Sequence, residues 1–158
     1  MLVRRLAVLG LGLVCALTIT GVTGATATAK KQRVVINMKE RPGVGSFTLI
    51  PMTQGPLVGD AGKYTWSTTS KSKGEQDGQE FERVVATVTY EGKQGTFVVK
   101  EVDTLVAVGI GQRVATGTWK IVRGTGVYAG VTGSGRLAAA LGIVSPDPWR
   151  YEGFLTMP

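Results

Sequence analysis

Histidine is absent from all 158 residues, and Cys15 is the single cysteine. Without histidine there is no Ser-His-Asp triad and no Cys-His nucleophile pair. With no histidine and one cysteine, the usual zinc ligand sets cannot be assembled. A lone cysteine also forms no internal disulfide, so strand closure and burial must carry stability. Acids are few, 11 against 18 lysines and arginines. The nearest acidic grouping is Glu75, Asp77 and Glu80. It does not match a calcium-loop spacing and reads as a solvated loop, so no metal site is expected. Beyond the N-terminus, no stretch repeats apolar residues at helical spacing, which argues against a helical domain.

The first 29 residues read as an export signal. Arg4 and Arg5 precede an uncharged apolar run from Leu6 to Ile19, and Ala25-Thr26-Ala27 and Ala27-Thr28-Ala29 both offer small residues for cleavage. The alternative is an uncleaved anchor, although the run is near the lower length limit for a membrane span. Cleavage predicts a secreted chain with no stable membrane insertion, and residues 30–158 as one domain. It removes the charges of Arg4 and Arg5 from a net +7. The remaining bases are dispersed, apart from Lys30-Lys31-Gln32-Arg33. Interleaved aromatics are missing, so nucleic acid is not an expected partner. Weak attraction to an anionic cell surface remains open.

What is present is alternation with a period of two. Strand patterns cover 34–38, 45–52, 63–69, 81–90, 96–108, 112–122, 134–144 and 149–156. The segments 40–43, 54–62, 91–95 and 109–111 read as turns or loops, and 145–148 as a break. Residues 70–79 read as an exposed, mobile loop. Eight strands with turn signals between them predict an all-β domain, a sandwich or an antiparallel eight-stranded barrel. A barrel of that size holds side chains or one small ligand.

Glycines 124, 126, 130, 133 and 135 form a corner in which Tyr128 and Val131 can plug one end of a barrel. Gly124-Thr125-Gly126 lacks the following helix of a dinucleotide fingerprint, and no cofactor is expected. The run Arg123-Gly124-Thr125-Gly126-Val127-Tyr128-Ala129-Gly130-Val131-Thr132-Gly133 resembles the glycine-rich corner of allene oxide cyclase and dirigent-like barrels. Tyr128 stands where Phe is usual, and Arg123 where the first Gly is usual. Together with the segment from Gly45 to Pro51, it resembles bacterial exported proteins with an allene-oxide-cyclase-like barrel. The resemblance spans about residues 40–136 and implies a barrel with a shaped apolar cavity and a possible homotrimer. No catalytic residue carries over, because no further motif matches.

Glu101 and Asp103 share a strand face with Phe97, Val99 and Leu105. If that face lines the interior, a desolvated carboxyl there acts as acid or base, or orients a ligand. If Val98, Val102 and Val106 form the core instead, both acids face solvent. Glu82 and Glu152 pose the same question more weakly. Trp66, Phe97, Trp119 and Tyr128 are candidates to line a small hydrophobic ligand, and Tyr64, Trp149 and Tyr151 are further aromatics of this kind. All of them equally suit core packing. The function expected is an exported binding or structural barrel of no known ligand. The alternative is a cyclase or isomerase acting on a small hydrophobic substrate, with Glu101 or Asp103 polarising it.

Overall fold

A computed structural model describes residues 29–39, 45–144 and 146–158. The export signal, apart from Ala29, and the turn at 40–43 lie outside the described residues, as does Ser145. The strands are β1 (Lys30–Lys39), β2 (Gly45–Pro51), β3 (Asp60–Gln76), β4 (Gln79–Gly92), β5 (Thr96–Gly109), β6 (Gln112–Gly124), β7 (Thr132–Leu141) and β8 (Pro148–Met157). Each pairs antiparallel with its chain neighbours, and β8 pairs back onto β1, closing the sheet into a barrel-like ring.

Alternation decides which side chains fill the ring. Val34, Ile36 and Met38 on β1, Val84, Ala86, Val88 and Tyr90 on β4, and Phe97 and Val99 on β5 are buried. Phe97, Tyr90 and Phe47 form an aromatic cluster, with Tyr90 and Phe97 stacked at 4.5 Å and Phe47 edge-on to both. Trp119 is also buried. It lies across from Gly135, and Gly135 across from Gly153. A Cβ at Gly153 would come within 2.7 Å of the indole, so this glycine gives the large ring its seat.

One end of the ring, here the lower, is closed by two devices. Gln32 holds the 52–59 connection: its amide donates to the Thr53 and Leu57 carbonyls, and its oxygen accepts from the Leu57 N–H. The glycine corner does the rest. A 3₁₀ turn, Gly126–Tyr128, drives Tyr128 and Val131 into the interior. The Tyr128 ring packs on Phe97 at 4.7 Å, and its hydroxyl donates to Asp60 Oδ2 at 2.9 Å. Asp60 also accepts from the backbone N–H of Ala61 and Lys93. The corner meets the β4–β5 turn backbone to backbone. Val127 N–H donates to the Gln94 carbonyl, and Thr125 N–H to the Thr96 carbonyl. Gly126 has φ +59°, and a Cβ there would sit 2.3 Å from the Gln94 oxygen.

Residues 70–79 correct the sequence expectation of a mobile loop. They continue β3, turn at Asp77-Gly78, and return in β4. Both turn residues have positive φ, 53° and 77°, the requirement of a two-residue hairpin that keeps the strand twist. The Ser and Lys content of the segment hid its pairing. A register shift between Thr68 and Ser70 also breaks the alternation there. Strand β7 stops at Leu141, short of the expected 144, because the chain turns at Gly142 with φ +68°.

Candidate functional site

At the upper end of the ring the described residues enclose a cavity of about 390 Å³, lined by residues that include Met38, Trp66, Asp103, Leu105, Trp149 and Tyr151. Behind its lining residues Met38 and Tyr151 stands Tyr90 of the aromatic cluster, which contacts both. The cavity mouth is framed by the β5–β6 turn and the 142–147 connection, where Gly142 N–H donates to Asp147 Oδ1.

The two acids of β5 point inward. Glu101 is 0% exposed and Asp103 1%. The residues of odd number on this strand therefore line the interior, the first of the two faces the sequence allowed. Glu101 is fully engaged. Trp66 Nε1–H donates to Oε1 at 2.6 Å, and the Tyr151 hydroxyl donates to Oε2 at 2.5 Å. Asp103 is the opposite case: no donor among the described residues meets either of its buried oxygens, and the side chain it interacts with is the Glu101 carboxyl.

This difference decides where a proton sits. Burial raises both carboxyls, since desolvation disfavours the charged form. For Glu101 the Tyr151 and Trp66 donors pull in the other direction. Asp103 has no such relief. Burial, then the charge of Glu101 and its side-chain interaction with Glu101, push it up to about 8. The two acids therefore titrate as a unit. At neutral pH the pair keeps a proton, and Asp103, raised to about 8, holds it. A neutral carboxylic acid facing a cavity can donate a hydrogen bond to an oxygen placed there. Tyr151 is raised well above the ordinary phenol value, by burial first and then by Tyr90 and Glu101, and stays protonated as the Glu101 donor.

Four charged side chains reach the cavity near its mouth, Lys71, Glu82, Arg113 and Asp147. Lys71 Nζ lies 3.5 Å from Glu82 Oε1, and Arg113 Nη1 3.3 Å from Glu82 Oε2. Lys71 follows the β3 register shift that redirects the strand's faces. Glu82 thus takes its place at the mouth, while Glu152 is exposed on the outer face, bound to Arg150 and Arg33. Its pKa is lowered, chiefly by the Arg150 hydrogen bond.

The aromatic candidates separate. Trp66 lines the cavity, half exposed, with Tyr64, Trp149 and Tyr151. Phe97 belongs to the aromatic cluster, Trp119 lies over its glycine seat with Nε1–H on the Arg136 carbonyl, and Tyr128 plugs the far end. Sequence reasoning missed Tyr90, whose hydroxyl donates to Met38 Sδ at 2.9 Å behind the cavity lining. It also missed Lys71 and Arg113. The parity of Val84, Ala86, Val88 and Tyr90 is the signal that would have found Tyr90. Among the described residues, no group of three metal-ligating side chains converges. Comparison of the chain with protein families, with curated proteins and with solved structures found no match.

Proposed function

We propose that this chain is an exported, barrel-type binding protein whose upper cavity takes one small, largely apolar molecule carrying an oxygen that accepts a hydrogen bond from Asp103. The observation that carries the reading is the buried carboxyl of Asp103 on the wall of the cavity, which no donor among the described residues meets. A buried polar group without a partner costs on the order of 1–3 kcal/mol, a penalty that a bound acceptor relieves. The cavity volume, about 390 Å³, lies in the range of small-molecule sites. Glu101 acts as a positioning residue, holding the Trp66 indole and the Tyr151 hydroxyl against the cavity. The glycine corner supports an allene-oxide-cyclase-like architecture, and the N-terminal 29 residues support secretion.

A second reading is favoured by the proton on Asp103. In a cyclase or isomerase that works by confinement, the same acid would polarise a substrate oxygen while the apolar walls set its shape. The test is native mass spectrometry of protein recovered from the medium of a bacterial host, beside a Leu105→Trp variant that fills the cavity. A small molecule retained by the parent and lost from the variant supports the binding reading. Ligand-free parent protein that also fails to take up a fluorescent apolar probe counts against it. The mass of the chain reports cleavage in the same spectrum.

A further inference from the structure

The outer face of the ring is most basic on one side, while β3 and β4 carry Lys63, Arg83 and Glu91. The exposed positions of β5, β6, β7, β8 and β1 include Lys100, Lys120, Arg136, Arg150, Arg33 and Lys31. Glu152 is the one acid among the described outward positions of these strands, and it is already shared by Arg33 and Arg150. The outward positions of β2, β3 and β4 are instead rich in Thr and Ser, such as Thr48, Thr65, Ser67, Thr87 and Thr89.

The register places these bases in rows. Lys100 stands directly across from Lys120, and Lys120 across from Ser134. In the next row Thr118 faces Arg136. Lys100, Lys120, Arg136, Ser134 and Thr118 line a shallow groove that contains no acid. Like charges directly opposite on a sheet are unfavourable. Among the described residues no ion pair forms from Lys100, Lys120 or Arg136, and of the three only Arg136 stands across from an acid, Glu152. An arrangement of that kind is stabilised when an anion lies across it.

We infer that this face binds an acidic polysaccharide, with Lys100, Lys120 and Arg136 meeting its carboxylate, sulfate or phosphate groups and Ser134 and Thr118 donating to its oxygens. An extended partner fits because the row through Lys100, Lys120, Ser134, Phe154 and Arg33 crosses five strands, roughly 19 Å at ordinary strand spacing. Nucleic acid fits less well. Base stacking needs open aromatic platforms, and the exposed ring on this face, Phe154, is covered by Lys31 at 4.3 Å. The inference is independent of the cavity.

The test compares three proteins on heparin, with a single-stranded oligonucleotide as the competing probe. The first is the full chain. The second is the triple variant Lys100→Gln/Lys120→Gln/Arg136→Gln. The third is a charge-matched control, Lys39→Gln/Lys63→Gln/Lys93→Gln, altered away from the groove. The parent and the control are expected to bind heparin alike, and the groove variant about tenfold or more weaker, with a shallower salt dependence. Circular dichroism melts confirm that all three fold, as exposed polar substitutions allow. Equal losses in groove variant and control would show a net-charge effect and overturn the assignment. So would absence of heparin binding by the parent, or tighter binding to the oligonucleotide than to heparin.

Discussion

Gly117 stands directly across from Asp103 in the β5–β6 register, and a Cβ at Gly117 would lie 2.6 Å from Asp103 Oδ1. The space for the buried carboxyl is thus provided by a missing side chain on the neighbouring strand. The same Cβ would meet the Val102 carbonyl at 2.3 Å, so the backbone also approaches closely there.

Gly117→Ala is therefore expected to displace the carboxyl and lower stability by about 1–3 kcal/mol, the usual scale of overpacking. A thermal melt reads the loss. An unchanged melting temperature would show that the strand pair yields without strain.

The pH dependence of stability should carry the mark of Asp103. Its carboxyl titrates near 3.9 in an unfolded chain and at about 8 in the folded one. Between those values the folded protein keeps a proton that the unfolded chain releases. Stability therefore falls as pH rises through this window, then levels off above it. Glu101, also raised by burial, acts in the same direction. Melting at pH 5 should exceed melting at pH 8.5, and Asp103→Asn should flatten the difference. A variant with the parent's full slope would place the titration elsewhere.

Glu101→Ala leaves the buried Tyr151 hydroxyl and the Trp66 indole N–H without their acceptor. A loss of about 1–3 kcal/mol is expected from the orphaned phenol. Glu101→Gln keeps an acceptor and should be milder. Tryptophan fluorescence should change with either variant, because the half-exposed Trp66 ring loses its hydrogen bond to the Glu101 carboxyl. A spectrum identical to the parent's would argue against this role.

At the lower end, Gly126→Val should destabilise strongly, for two reasons that act together. The residue has φ +59°, a region that β-branched side chains avoid, and its Cβ would strike the Gln94 carbonyl. Gly78→Ala provides the contrast: φ is also positive, +77°, but nothing lies within 4 Å. That variant should lose only about 1 kcal/mol, the conformational part alone. Equal losses at both sites would mean that contact with the β4–β5 turn adds nothing.

Strand order and the corner were legible in the sequence because their signals are local. Alternation marks β4, β5 and β6, and clustered glycines mark where the chain must bend. The β3–β4 hairpin was missed because the register shift at Thr68 and Ser70 breaks the period of two, and because Ser and Lys imitate loop composition. For β5, alternation offered two faces, and only ring closure decided between Glu101 and Val102. The site itself needed distance. Glu101 meets Trp66 and Tyr151 across 35 and 50 residues of chain, and no spacing rule predicts that meeting. The same holds for Asp60 and Tyr128, 68 residues apart.

The return of β8 onto β1 has a consequence for self-association. Every strand has a neighbour on both sides along part of its length, but among the described residues β3 from Thr65 to Gln76 pairs with β4 alone and keeps an unpaired edge. A second copy that joins by extending the sheet has this stretch of β3 to pair with, and not the closed part of the ring. The other routes to an oligomer are side chains on the outer wall and the loops at the two ends. Substitutions there can tune assembly while leaving the hydrogen-bonded ring untouched.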